Sequence, residues 1–340
     1  MRVFHSPDHV RHFPKTFIMR GQVVESPEKP ERAEVMLKAL TQAGHRIETP
    51  RKHGTAAVEA THDAGYLAFL KDGYKAWRAL PGASPAIIPN VHPGRNMAHA
   101  TAHPVARAGW YQADTACPVD DGTWEGCLAA VDCGLAATEA VLAGERVAYG
   151  LCRPPGHHAY ADQSGGFCFL NNVAIAADVA ARAKGRVAIL DVDVHHGNGT
   201  QGIFWRRPDV LFVSLHADPA VYYPFYAGYA EETGQGAGAG ATFNIPLPPG
   251  TNDDAYMPAL ARALGRIRAY GPAVLLVSLG LDAAEDDPLG ILKITTEGFR
   301  RMAREIAGLS LPTVLIQEGG YLSASLGGNA AAFLAGYEGR

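Results

Sequence analysis

The sequence lacks any apolar run long enough to cross a lipid bilayer. Its most apolar stretch, AVLLVSLGL at 273–281, is far shorter than the roughly 20 residues that a membrane-spanning helix needs. The first residues, MRVFHSPDHVRHF, also lack the apolar segment of a secretion signal. We therefore expect no membrane anchor and predict a cytoplasmic protein.

The chain also has few cysteines and no excess of positive charge. The chain has 5 cysteines among 340 residues, and no two have CxxC spacing, so neither a disulfide framework nor a zinc finger is expected. The 30 lysines and arginines are outnumbered by 34 aspartates and glutamates, giving a net charge of −4. Such a balance provides no basic surface for nucleic acid or anionic lipid, and we expect neither as a partner.

What the sequence does contain is an alternation of short apolar runs and segments with helical periodicity. Runs suited to buried strands lie at 147–151, 187–192, 210–215, 273–279 and 313–317. Helical patterns lie at 30–44, 124–143, 171–184, 254–269, 296–308 and 326–336. This alternation predicts an α/β fold with a mostly parallel central sheet flanked by helices. The stretches 80–122 and 216–252 are predicted to be long loops beside a site or between subunits.

Charged residues end the most buried of these runs, VAILDVDVHHGNGT at 187–200. Asp191, Asp193 and His195 occupy alternate positions, so they share one face if the strand extends that far. Buried carboxylates are normally paired or bound to metal, and open α/β sheets bind ligands at the carboxyl ends of their strands. A divalent-cation site is therefore favoured over a polar strand end that is merely capped by loops.

Asp282 follows a second apolar run in the same way, in VLLVSLGLDAAEDDP. A lone Asp after a strand is most often a turn or capping residue. Placed beside the first strand end, it would complete an Asp/His/Asp site with positions left for water, as in catalytic zinc centres. Such ligands also suit iron(II) or cobalt(II). Asp286 and Asp287 are interpreted as solvated loop acids.

Three further motifs also follow predicted strands or line a loop. In RPPGHHA, the side chains of His157 and His158 diverge, which suits a general base and a general acid rather than two ligands of one metal. In QEGGYL, Tyr321 follows two glycines and is positioned to donate to an oxyanion. In GGFCFLNN, Gly166 allows a close backbone approach beside Phe167 as a channel wall. Ordinary loop histidines, a packed tyrosine and a core phenylalanine remain the alternatives.

Together these motifs resemble the arginase/deacetylase superfamily, specifically the zinc-dependent histone deacetylases and acetylpolyamine amidohydrolases. The resemblance runs from PERAE at 30–34 through THDAGYL at 61–67 to EGGYL at 318–322, nearly the whole chain. The stretch DPAVYYPFYAGYAEETGQGAGAG is more similar to the acetylpolyamine amidohydrolases. The resemblance implies one catalytic domain over 1–340, a parallel sheet of about eight strands, and an insertion at 80–122.

The resemblance also implies roles for individual residues. The zinc ligands would be Asp193, His195 and Asp282, and the catalytic residues His157, His158 and Tyr321. Asp191 would support His157. Asn198 would support His158, where class I histone deacetylases have Asp, and this leaves His158 less biased toward the imidazolium. A structural potassium site would be formed by Asp191, Asp193, His195, Ser214 and Leu215, and the substrate channel by Gly166, Phe167, Tyr223 and Asp114.

The activity implied is hydrolysis of a small acetylated amine, such as an acetylpolyamine or acetyl-diamine, to acetate and a primary amine. Phe17 stands where some polyamine-acting relatives have an acid, so Asp114 is the candidate for meeting an ammonium group. The 80–122 stretch resembles the insertion through which polyamine-acting members form homodimers with a narrowed channel.

Three alternatives remain open. One is a deacetylase of acetyl-lysine in proteins. Another is a binuclear manganese ureohydrolase, although the expected DxHxD motif lacks its last Asp at Gly197. The third is a binding protein that retains the pocket without turnover.

Overall fold

Parallel strands form the centre of the computed structural model, which describes residues 1–97 and 99–340. One eight-stranded parallel sheet has the order β4-β1-β5-β10-β9-β6-β7-β8, and β2 and β3 form a separate antiparallel hairpin. The strands are β1 (Arg2–Phe4), β2 (Thr16–Met19), β3 (Gln22–Glu25), β4 (Arg46–Glu48), β5 (Val147–Gly150), β6 (Val187–Asp191), β7 (Val210–Ala217), β8 (Thr242–Leu247), β9 (Val274–Leu279) and β10 (Thr313–Gln317).

Helices cover both faces of this sheet. Several begin at side chains that cap free backbone N–H groups, including Asp63, Asn171, Asn252 and Thr295. The helices are α1 (Pro30–Gln42), α2 (Ala56–Thr61), α3 (Ala64–Arg78), α4 (Pro104–Tyr111), α5 (Thr123–Leu142), α6 (Asn172–Lys184), α7 (Asn198–Phe204), α8 (Asp253–Tyr270), α9 (Thr296–Ala307) and α10 (Leu326–Tyr337). Among the described residues, no helix is both long and apolar enough to pass through a bilayer.

The unbroken apolar pattern of the central strands follows from burial on both faces. In β6, Ala188 and Leu190 pack with α1, α8, α9 and α10 on one side. Val187 and Ile189 pack with α5 and α6 on the other. Strands of this kind cannot show the apolar/polar alternation of a half-exposed sheet.

The predicted α/β class with a mostly parallel sheet is confirmed, and each of the predicted strands and helices is present within a few residues. The loop predictions were partly wrong. The 216–252 stretch contains β8, and the 80–122 stretch contains α4. The apolar residues of β8 are interrupted by Asn244 and Pro246, and α4 has only 8 residues. A three-residue strand such as β1 or β4 likewise gives too little periodicity to be recognised in sequence.

The strand order explains why the motifs meet. RPPGHH, DVDVHH, the Asp282 segment and QEGGY follow β5, β6, β9 and β10, which are neighbours in the sheet. Because the strands are parallel, all four carboxyl ends lie on one edge, the edge where open α/β sheets bind ligands.

Candidate active site

A cavity of about 980 Å³ opens at this edge of the sheet. Its lining extends from the fully buried Asp193 and Asp282 to Tyr226, whose surface is 94% exposed. Most of the exposed lining surface is apolar, and the histidines of the lining, with Asp193 and Asp282, are buried. That combination is typical of a small-molecule site.

Asp193, His195 and Asp282 converge at the buried end. One ligand atom from each lies within 4.8 Å of the others. The Nδ1 atom of His195 is 3.1 Å from Asp193 Oδ1 and 3.3 Å from Asp282 Oδ2. Among the described residues, Asp282 Oδ2 is buried without a well-aligned hydrogen-bond donor. A buried carboxylate oxygen left in this way is costly unless a cation binds it.

The electrostatics of this cluster also favour a cation. Burial alone would lower the pKa of His195, but the adjacent Asp193 and Asp282 carboxylates outweigh it and raise the pKa to about 9. Burial, and then the neighbouring Asp193 charge, raise the pKa of Asp282. Positive charge is therefore stabilised between these side chains, and a divalent metal ion fits the donor set of one imidazole and two carboxylates.

Main-chain groups hold the two carboxylates in place. Val194 N–H donates to Asp282 Oδ1 at 3.0 Å, and Gly319 N–H donates to Asp193 Oδ2 at 2.8 Å. A Cβ atom on Gly319 would lie 2.0 Å from Asp282 Oδ2 and 2.6 Å from Asp193 Oδ2. The first glycine of the GGY motif is thus needed because the backbone passes against both carboxylates.

His157 and His158 lie next to this cluster with different partners. The Nδ1 atom of His157 is 3.0 Å from Asp191 Oδ2, and the Nδ1 atom of His158 is 2.6 Å from Asn198 Oδ1. An amide oxygen only accepts hydrogen bonds, so with this amide orientation His158 Nδ1 carries the proton. Its Nε2 lone pair is then free to act as a base.

The two imidazoles differ in their proton affinity. Burial alone would lower the pKa of His157, but the Asp193 and Asp191 carboxylates raise it to about 10. Burial lowers the pKa of His158 well below its usual value, and the charges of His157 and His195 lower it further. Neighbouring groups whose pKa values are driven apart are suited to separate roles.

Tyr321 lines the same cavity and is almost completely buried. Burial raises the pKa of its phenol well above the usual value, so the hydroxyl keeps its proton and remains a donor. Its ring packs edge-on against Phe167, with centroids 5.9 Å apart, and the Arg32 guanidinium carbon lies 5.1 Å from the ring centroid.

The predicted channel residues form one connected wall. Asp114 Oδ2 accepts hydrogen bonds from the Tyr223 hydroxyl at 2.6 Å and from Gly166 N–H at 3.1 Å. Gly166 has a φ of 50°, and a Cβ atom there would lie 2.4 Å from the ring of His158. Asp114 therefore ties Tyr223 to the backbone beside Phe167 in this structure.

The predicted potassium ligands lie in, or directly after, the adjacent strands β6 and β7. Asp191 and Ser214 are paired across β6 and β7, and Leu215 follows in the buried part of β7. Asp191 Oδ1 accepts the Asp193 N–H at 3.1 Å, while the Ser214 hydroxyl lies 2.8 Å from His216 Nδ1. The ligand roles of these residues stay a prediction.

Several residues of the site are not predicted by the sequence. Tyr222 stacks on His195, with ring centroids 5.2 Å apart and planes 15° apart. Glu318 Oε2 accepts the main-chain N–H groups of Gly156 at 2.6 Å and His157 at 3.1 Å. Burial raises the pKa of Glu318 to about 7. Glu318 follows β10 as Asp193 follows β6, so the same strand-end signal points to it.

The interpretation of Asp287 as a solvated acid is wrong. Asp287 is buried and accepts the main-chain N–H of Tyr321, whereas Asp286 is exposed as expected. The segment after Asp282 turns back toward the cavity, and this places only the second acid of the pair inside. Nothing in the local pattern distinguishes the two.

The comparisons with known proteins agree with this geometry. Residues 26–337 match the family described as the histone deacetylase domain. Acetylpolyamine amidohydrolase 1 of Pseudomonas aeruginosa is 43% identical over 98% of each chain, and acetylpolyamine amidohydrolase of Mycoplana ramosa is 41% identical over 100% of each. A crystal structure of acetylpolyamine aminohydrolase from Burkholderia pseudomallei, 41% identical, covers 99% of this chain and 98% of its own, with a TM-score of 0.96. The chain belongs to the histone deacetylase domain family.

Proposed function

We propose that this protein is a metal-dependent amidohydrolase that removes acetyl groups from small acetylated amines, including acetylpolyamines and acetyl-diamines. The products are acetate and a primary amine. One observation carries the proposal: Asp282 Oδ2, which has no well-aligned hydrogen-bond donor in residues 1–97 and 99–340, lies beside Asp193 and His195 in a cavity that is also lined by His158 and Tyr321. The names of the relatives, which match end to end, support the substrate class.

Asp193, His195 and Asp282 would hold one zinc ion per chain, and their donor set also suits iron(II) or cobalt(II). When bound, the ion would lower the pKa of a bound water molecule and polarise the acetyl carbonyl. A structural potassium ion is proposed at the site formed by Asp191, Asp193, His195, Ser214 and Leu215. It is supported by the pairing of Asp191 with Ser214 in adjacent strands.

The side chains of the protein itself supply the proton transfers and the stabilisation of the oxyanion. His158 Nε2 takes a proton from the attacking water and later delivers it to the departing amine nitrogen. His157, held by Asp191, contributes positive charge next to the developing oxyanion. The Tyr321 hydroxyl donates a hydrogen bond to that oxyanion. Asn198 fixes the His158 tautomer that these steps require.

The wall formed by Phe167, Tyr223 and Gly166 would pack along the alkyl chain of the amine. Small amines are favoured over protein acetyl-lysine because the relatives that match end to end are named for acetylpolyamines. The aromatic rings of Phe17 and Phe167 pack against each other in the wall, with centroids 5.3 Å apart. A homodimer through the 80–122 segment is also proposed. Val91 and Met97 of that segment are 51% and 65% exposed, which supports a contact surface there.

No nucleic-acid or membrane partner is proposed, in keeping with the net charge of −4. A reducing compartment such as the cytoplasm is favoured because the five cysteines are buried thiols without disulfides.

Acetate release by purified, zinc-loaded protein tests the function. The substrates are acetylputrescine, acetylcadaverine, acetylspermidine and an acetyl-lysine peptide. We expect acetate from the small amines, and a loss of about 100-fold in kcat for Tyr321→Phe with zinc retained. Binding of the amines without any acetate would indicate a binding protein instead. Two manganese ions per chain, with urea released from a guanidino compound, would indicate a ureohydrolase.

A further inference from the structure

The β2–β3 hairpin places one arginine at the mouth of the cavity. Met19 pairs with Gln22, so Arg20 and Gly21 form the two-residue turn, with φ of 51° and 78°. Two positive φ values are typical of the tight hairpin turns in which Asn, Asp and Gly predominate. Arginine is uncommon in such a conformation, which makes Arg20 an unusual choice at this turn.

The guanidinium group of Arg20 is available to a ligand. Arg20 is exposed and lines the same cavity as the candidate active site. Across residues 1–97 and 99–340, its side chain makes no hydrogen bond or ion pair. The charge of Arg20 is therefore presented at the cavity lining without a partner among the described residues.

The carboxylates that line the cavity are already engaged. Asp193 and Asp282 belong to the buried cluster, and Asp114 Oδ2 accepts two hydrogen bonds from the wall itself. Phe17, in strand β2 of the same hairpin, is buried and apolar. The outer lining thus contains one unpaired positive charge within the described residues. It is surrounded by the exposed apolar side chains Met19, Val221, Phe225 and Tyr226.

We propose that Arg20 is a specificity-determining residue that extends the substrates to acetylated amines with a distal carboxylate and reduces, without abolishing, the turnover of those with distal ammonium groups. The inference rests on the proposed function, because it places the acetyl group at the buried cluster and the other end of the chain at the mouth. A distal carboxylate would pair with the guanidinium, whereas each additional ammonium of a longer polyamine would be repelled by it. The class that Arg20 adds to the acetyl-diamines and acetylpolyamines is that of ω-acetamido carboxylates.

Three substrates with the same methylene chain isolate the distal charge: 6-acetamidohexanoate, N-hexylacetamide and N-acetylcadaverine. Arg20→Asn removes the charge with a residue that tolerates a positive φ, and Arg20→Glu reverses it. The matched control is Lys15→Asn. Lys15 is an exposed cation just before the same hairpin, and its ammonium lies over the Phe13 ring rather than in the cavity. The readout is kcat/KM for acetate release at low and high salt.

The selectivity ratio is kcat/KM for 6-acetamidohexanoate divided by kcat/KM for N-acetylcadaverine. We expect Arg20→Asn to lower this ratio by about tenfold. The variant loses both the attraction for the carboxylate and the repulsion of the ammonium, each comparable in strength to an exposed ion pair. Arg20→Glu lowers the ratio further, Lys15→Asn leaves it unchanged, and high salt reduces the difference. Any general loss in a variant cancels in the ratio. A ratio unchanged in Arg20→Asn, with acetate still released, overturns the role of Arg20 alone. No acetate from any of the three substrates with wild-type protein overturns the proposed function and this role together.

Discussion

Asp287 accepts a hydrogen bond from the main-chain N–H of Tyr321 at 2.7 Å. Its other oxygen accepts the N–H of Leu289 at 2.8 Å, and burial, followed by the nearby Asp282, raises its pKa to about 7. On the opposite side, Arg32 Nε donates to the carbonyl of Gly320 at 2.7 Å. The residue that would donate to the oxyanion is therefore fixed through its backbone by two charged side chains.

Asp287→Asn should lower kcat by about tenfold, because a small displacement of Tyr321 weakens its contact with the transition state. Asparagine has one acceptor oxygen where two N–H groups require acceptors. The matched control is Asp286→Asn, which changes an exposed neighbour bonded to Ser325 and should keep kcat within about twofold of wild type. Zinc content should be the same in both variants. Equal kcat for the two would show that Asp287 does not position Tyr321.

Asn198→Asp should shift the pH dependence of kcat/KM. A carboxylate 2.6 Å from His158 Nδ1 stabilises the imidazolium and so raises the pKa of His158 from its lowered value. A protonated His158 cannot accept the proton of water. The acidic limb of the profile of the zinc-loaded enzyme therefore moves to higher pH, by about one unit or more. An acidic limb that stays in place or moves to lower pH would mean that His158 is not the base.

Asp282→Asn should abolish metal binding without weakening the metal-free fold. The amide oxygen can still accept the Val194 N–H, and the variant removes a buried carboxylate whose pKa is raised by burial and by Asp193. The Tm of the metal-free variant should equal or exceed that of metal-free wild type. Zinc should raise the Tm of wild type but not of the variant. The control Asp254→Asn alters an acid whose side chain is 86% exposed, and its Tm should respond to zinc as wild type does. One zinc bound per chain of Asp282→Asn would contradict the assignment of this ligand.

The buried ionic cluster of Glu28, Arg32 and Arg153 should contribute strongly to the free energy of unfolding. Glu28 bonds Arg32 at 3.0 Å and Arg153 at 2.9 Å, and all three side chains are almost fully buried. Glu28→Gln leaves two buried arginines without a counter-charge and should lower the free energy of unfolding by about 3–5 kcal/mol. Glu25→Gln breaks the exposed pair with Lys29 and should leave the free energy of unfolding nearly unchanged. Chemical denaturation measures both. Similar losses in the two variants would contradict the importance of burial here.

The sequence predicts the centre of the fold well because each central strand is buried on both faces and ends in a polar motif. Asp193, His195 and Asp282 could be grouped because strand alternation and parallel order place them at one edge. The assignment of separate roles to Asp191 and Asp193, which have the same spacing signal, came from the family resemblance. In the structure, the Asp191 carboxylate is hydrogen-bonded to His157 Nδ1, and the Asp193 carboxylate is hydrogen-bonded to His195 Nδ1.

What could not be predicted depends on tertiary contacts. The α7 helix begins at Asn198 within a glycine-rich segment whose local propensity argues against a helix. Tyr222 and Asp287 lie in segments without periodicity, and their positions depend on how those segments return to the cavity. Arg153 reaches Glu28 across 125 residues of sequence, a pairing that has no local signal.

The most direct test of the central claim is a zinc titration of metal-free protein, followed by acetate release from an acetylated small amine. We expect no acetate without metal, a linear rise in activity with added zinc, and a plateau at about one zinc per chain, as one open Asp/His/Asp site requires. Full activity without metal, or a plateau that is reached only at two ions per chain, would contradict the account.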